Sequence, residues 1–184
     1  NNKGRTLLVV LSIGVGVLAL GMIFASNTLL TRQMTISQKA SRPSNVILYL
    51  NGLIDDETVK SIARLPEVVD AEGVAGMNIR WKPSLDAEWE QATLVALDDY
   101  ENQKFDLVEL RTGQWPVSDL VAVEFNHAAP YHVPAAGGTI YFEVNDKAKP
   151  MQVGGVVRDP QQFPPPFSQQ PAFYVTREAL ELLG

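Results

Sequence analysis

The sequence predicts an α+β protein: one N-terminal transmembrane helix with a stalk, then a split β-α-β layer carrying an inserted β-rich lobe. Three observations predict it. Residues Thr6–Ala25 run for twenty positions without a charge. A β-branched run, an amphipathic helical stretch and two more strand-like runs follow between Asn45 and Leu97. Beyond Asp98 the chain breaks into short alternating runs punctuated by glycine, asparagine and proline.

The uncharged run justifies the first element. A helix of twenty residues spans about 30 Å, the hydrocarbon thickness of a bilayer. Lys3 and Arg5 precede it and the next basic residue is Arg32. The positive-inside bias therefore places the N-terminus in the cytoplasm and the chain beyond about residue 27 outside it. A cleaved signal peptide is the rival, because Ala19 and Gly21 form a small-x-small pair. The apolar run is long for such a peptide and continues through Leu29 and Leu30. The chain starts at Asn1 and not Met, which suggests a fragment of a longer protein. Ser12 with Gly16, and Gly21 with Ala25, are small residues four apart, a spacing that lets a neighbouring helix approach. Glycine is also simply common in membrane helices, so both readings stay open. The span holds no ionisable residue and forms no proton or ion path by itself.

Residues 27–41 are polar, with Leu29, Leu30, Met34 and Ile36 at helical spacing, and read as the helix continuing outward as a stalk. Arg42-Pro43 ends it, since the residue before proline avoids helical geometry. Asn45–Leu50 reads as a core strand closed by Asn51-Gly52. Asp55, Asp56 and Glu57 cap a helix whose face is Val59, Ile62 and Ala63, stopped at Leu65-Pro66. Val68–Lys82 and Thr93–Leu97 read as a hairpin pair. Val108–Gly113, Leu120–Phe125, Thr139–Val144, Met151–Val157 and Ala172–Val175 are further strands, and Thr176 caps a last helix through Leu183. The domain boundaries that follow are 1–41 for helix and stalk, 42–99 for the α+β layer, 100–171 for the β-rich lobe and 172–184 for the return to the layer.

Charge and composition exclude several functions. The first 54 residues carry five basic residues and no acid, so the remaining ten basic residues face all 21 acidic ones, a net charge of −11. Such a surface repels phosphate backbones, so no nucleic-acid partner is expected. No cysteine is present, which removes disulfides, thiolate metal sites and a thiol nucleophile. Glu124, His127 and His132 are the one cluster of metal-type residues. Histidines five apart match neither a zincin helix nor a zinc finger, and Pro130 and Pro134 suggest an exposed loop. Gly154-Gly155 and Gly137-Gly138 lack the Lys-Ser/Thr of a phosphate loop. Acid pairs such as Asp55-Asp56 and Asp98-Asp99 read as caps and solvated turns. No catalytic residue, metal or cofactor is expected.

The unusual stretch is Asp159–Pro171 (DPQQFPPPFSQQP), whose five prolines stiffen it toward an extended form that no central strand accepts. Phe163 and Phe167 flank Pro164, Pro165 and Pro166. Either the two rings pack back on the domain, or the segment is an exposed contact loop for a partner or substrate.

Four passages carry a resemblance. RTLLVVLSIGVGVLALGMI (Arg5–Ile23) is similar to the first membrane helix of the MacB/FtsX-type ABC transporter permeases, which include the lipoprotein-releasing ones. IARLPEVVDAEGV (Ile62–Val74), LVELRTGQWP (Leu107–Pro116) and AFYVTREALELLG (Ala172–Gly184) resemble passages of the same family in the same order. The resemblance implies a porter-like layer with an inserted lobe, no enzymatic activity in this chain, a cytoplasmic ABC ATPase as a separate subunit, and pairing into homo- or heterodimers in a bacterial plasma membrane. Gly137-Gly138 departs from the Gly-Asp usual there, and the family's further membrane helices do not follow. The alternative is a single-pass receptor or sensor whose outer domain binds a ligand.

Overall fold

A computed structural model describes residues 2–52 and 54–184, and for residues 30–39 the backbone only. The chain divides into two compact units, residues 1–40 and 41–184.

The first unit is one helix, α1 (Asn2–Ala40), 39 residues long. Its stretch Asn2–Leu29 is long and apolar enough to cross a membrane. Apolar side chains cover it on all sides; Leu8, Ile13, Val17 and Phe24 are all exposed. Such a surface is stable in hydrocarbon and costly in water. The hydroxyls of Thr6 and Thr28 donate to the carbonyls of Asn2 (3.1 Å) and Phe24 (2.9 Å), one turn back, so the helix satisfies them internally. The stalk is helical to Ala40; the expected stripe of Leu30, Met34 and Ile36 concerns side chains outside the described ones.

The second unit holds α2 (Asp56–Ala63), β1 (Val74–Lys82), β2 (Glu90–Leu97), β3 (Glu109–Gly113), β4 (Leu120–Glu124), α3 (Phe125–Ala128), β5 (Thr139–Val144), β6 (Lys147–Arg158), β7 (Ala172–Thr176) and α4 (Arg177–Leu183). The seven strands form one mixed sheet in the order β3-β6-β4-β7-β2-β1-β5, and β5 also pairs with β6, so six strands close on themselves. β7 runs parallel to β2 and antiparallel to β4. The returning strand thus ties the 42–99 segment to the 100–171 segment.

Alternation along the strands builds two cores. Ala92, Leu94 and Ala96 of β2, Phe173 and Val175 of β7, Trp81, Ile140 and Phe142 pack together, covered by Ala179, Leu180 and Leu183 of α4. Phe173 sits edge-on between Trp81 (4.9 Å) and Phe142 (5.5 Å), the preferred geometry for such rings. The opposite parity of β7, Ala172 and Tyr174, joins Leu97, Tyr100, Val108, Ala122 and Val157 in the second cluster.

The caps follow the sequence. Asp55 accepts from Thr58 N (2.8 Å) and Thr58 Oγ1 (2.6 Å) to start α2, and Thr176 Oγ1 accepts from Ala179 N (3.1 Å) to start α4. One expected element is different. Asn45–Leu50, read as a core strand, pairs with none of the seven strands. Val46, Ile47, Leu48, Tyr49 and Leu50 are all exposed. β1 is hydrogen-bonded to β2 along its length and to β5 only at Trp81 and Lys82; the six strands close through β5 onto β6, so the sheet completes its closure without this run.

Candidate contact loop

The loop 159–171 leaves β6 and returns as β7, and hydrogen bonds grip it at both ends. Asp159 is only 6% exposed; its carboxylate accepts from the Tyr174 hydroxyl (2.6 Å) and from Gln161 N (2.7 Å). Burial pushes its carboxyl above the ordinary range, against the pull of those two hydrogen bonds, with Asp106 adding to the rise. Burial raises the Tyr174 phenol too, and the neighbouring carboxylate reinforces this.

The middle of the loop hangs on His127. Glu124 caps the short helix α3 by accepting from Asn126 N, and this turns His127 inward to full burial. Its Nδ1 accepts from Ala172 N at 3.0 Å, which assigns the ring proton to Nε2, and Nε2 lies 2.8 Å from the Phe163 carbonyl oxygen. Tyr131, edge-on to the imidazole, donates its hydroxyl to the Ser168 carbonyl (2.8 Å). At the far end Gln170 Nε2 reaches Asn78 Oδ1 (3.0 Å) and Thr93 Oγ1 (2.5 Å), and Thr93 N donates to the Pro171 carbonyl (2.9 Å). The Pro165–Pro166 peptide is cis.

What this frame presents outward is apolar. Phe163 is 69% and Phe167 80% exposed, so the reading in which both rings pack back on the domain does not describe the fold. Pro164 and Pro166 are exposed beside them, and Pro165 is half-buried. The backbone is held and the rings are offered.

The other sequence candidates are placed as follows. Ser12, Gly16, Gly21 and Ala25 lie on the exposed surface of α1. Nine residues separate Ser12 from Gly21, about half a turn around the axis at about 100° per residue, so the two small pairs face opposite ways. An added Cβ at Gly16 or Gly21 meets no atom within 4 Å. His127 departs from the expected exposed loop: both ring nitrogens are engaged with backbone and cannot serve a metal as they stand. His132 is exposed at φ 54°. Among the described residues no group of three or more His, Cys, Asp or Glu is placed to hold a metal. Asp98 pairs with Arg177, and Asp99 accepts from Glu101 N (2.8 Å) and Asn102 N (3.0 Å) in a turn. Sequence reasoning missed His127, Asp159 and Tyr174 as supports of the loop. His127 lies 36 and 45 positions from its two partners and Asp159 lies 15 from Tyr174, beyond any local pattern.

No family model and no curated protein matches the chain. Among solved structures it is similar to the periplasmic region of MacB from Actinobacillus actinomycetemcomitans, at 14% identity over 72% of this chain and 58% of that one, with a TM-score of 0.47. It is similar to the extracellular domain of the noncanonic ABC-type transporter YknZ from Gram-positive bacteria, at 14% identity over 77% and 73% with a TM-score of 0.48. A domain of a permease protein from Porphyromonas gingivalis is similar at 15% identity over 64% and 55%, TM-score 0.40. The chain spans 58% of the length of the MacB region. In these comparisons the chain is similar to a periplasmic region of MacB and an extracellular domain of an ABC-type transporter.

Proposed function

We propose that the chain is part of a transmembrane subunit of an ABC transporter of the MacB/FtsX type. In this reading it couples cytoplasmic ATP hydrolysis to movement of an extracytoplasmic domain, for export or for lipoprotein or peptide handling. The observation that carries it is the unbroken helix α1, apolar over Asn2–Leu29 and helical to Ala40, followed in the chain by a folded α+β domain. The four sequence passages that resemble the family support it.

The chain lies in a bacterial plasma membrane with its N-terminus in the cytoplasm and residues 41–184 outside. It supplies no catalytic group. A separate cytoplasmic ABC ATPase binds it, and two permease subunits pair, each α1 using its small faces at Ser12/Gly16 and Gly21/Ala25 to pack against neighbouring helices. Residues Thr6–Met34 act as a lever, and the Phe163–Phe167 loop is the contact surface for partner or substrate.

The test is the full reading frame reconstituted with its ATPase. Deleting residues 30–39 should leave hydrolysis intact and abolish export. Retained export, or failure of any ATPase to co-purify, would sink this reading, and the second outcome would favour a single-pass receptor.

A further inference from the structure

The residues that follow α1 in the chain attach to the sheet unit at Asp106. The Asp106 and Leu107 amides donate to the carbonyls of Arg42 (3.0 Å) and Ser41 (2.9 Å). The Asp106 carboxylate accepts from Ser44 Oγ at 2.5 Å, and Ser44 N lies 3.4 Å from both of its oxygens. The same carboxylate accepts from Gln161 Nε2 at 2.7 Å. Gln161 donates its own backbone amide to Asp159 Oδ1, the buried carboxylate that Tyr174 holds. One side chain therefore joins the segment leaving the helix to the first residues of the loop, 55 positions on.

The carboxylate suits this work. It presents several acceptor sites, so serine and glutamine donors bind it together, and charge-assisted bonds are stronger than neutral ones. Asp106 also takes φ 47°, a left-handed conformation that Asp and Asn tolerate better than most residues. Two further supports of the loop, His127 and Tyr131, come from the α3 side.

We propose that Asp106 is a positioning joint, transmitting displacement of Ser41–Ser44 to the loop 159–171 and so to the exposed rings of Phe163 and Phe167. The transporter reading gives the joint its use; the coupling itself is a property of the domain.

Hydrogen exchange on the full chain in lipid nanodiscs tests it, read at the amides of Phe167 and Ser168, which turn back onto Pro164 O. Ser44→Ala, remote in sequence, should speed exchange there by about tenfold or more, the scale of one lost hydrogen bond to a charged group. In an Asp106→Asn background, which keeps the backbone conformation, exchange is already fast and Ser44→Ala adds nothing. Gln161→Ala, an exposed change, should reproduce that background, and serves in its place if Asp106→Asn loses the protection of Ala92–Leu97. An unchanged loop in Ser44→Ala overturns the proposal, as does an effect of equal size in both backgrounds. Neither result depends on ATPase or export, so failure of the joint and failure of the transporter reading are distinguishable.

Discussion

The imidazole of His127 bridges two strangers in sequence, accepting from Ala172 N and donating from Nε2 to the Phe163 carbonyl 2.8 Å away. It thereby fixes the backbone of an otherwise outward-facing loop. His127→Ala leaves a buried N–H and a C=O without their partner and opens a cavity. A loss of about 3 kcal/mol follows. Urea unfolding of the full chain in detergent measures it; a loss below about 1 kcal/mol would mean water or a shifted side chain replaces the ring.

Asp159 and Glu124 make stability depend on pH in the direction opposite to surface carboxylates. Burial raises both above the ordinary range, so the folded chain binds their protons more tightly than the unfolded chain does. Their contribution is greatest below the ordinary carboxylate value of about 4 and is lost as pH rises through the raised folded values. Asp55, Asp70 and Asp99 shift downward through hydrogen bonds to Thr58, Lys104 and Asn102 respectively, but all three are exposed. The comparison that isolates the buried pair is wild type against Asp159→Asn and Glu124→Gln. Unfolding midpoints from pH 4 to 7 should fall more steeply in wild type than in either variant. Parallel curves would show that neither buried carboxyl is shifted.

Gly155 follows a bulge of β6 against β4 and lies opposite Gly113 of β3. A Cβ there would come within 3.0 Å of the carbonyl oxygens of Gln114 and Thr112. Backbone cannot step aside as a side chain tip does, so Gly155→Ala should cost about 2–4 kcal/mol. Gly137 provides the control: its φ is +93° but the space around it is open, and Gly137→Ala should cost about 1 kcal/mol through conformation alone. Thermal unfolding of the two variants side by side separates crowding from backbone strain.

Legibility of the sequence divided along range. Caps are local, and Asp55 and Thr176 stand where a side-chain oxygen three residues ahead of an amide must. The uncharged run was legible because a bilayer demands length and apolarity and nothing else. Asn45–Leu50 misled because β-branched composition marks a run able to pair and says nothing of whether a neighbouring strand takes it up. The same limit hid the loop's supports: His127 in a proline-spaced segment looks exposed until Ala172 and Phe163 are brought to it. Exchange provides a direct check on the displaced run. Amides of Val46–Leu50 should exchange freely, while those of Thr93–Leu97, flanked on both sides by β1 and β7, resist to near the global unfolding limit.

The exposed rings make the sharpest contrast with His127. Phe163 and Phe167 belong to the loop that His127 holds, yet both face outward. Truncating an exposed ring removes little contact from the folded chain, so Phe163→Ala and Phe167→Ala should each change stability by less than about 0.5 kcal/mol. A stiff, pre-ordered loop loses little entropy when something packs on it. If the loop meets a partner or substrate, the double variant should therefore fold as wild type and lose export while ATP hydrolysis continues. Unfolding of that variant would return the rings to the core, and undiminished export would move the contact surface elsewhere on the domain.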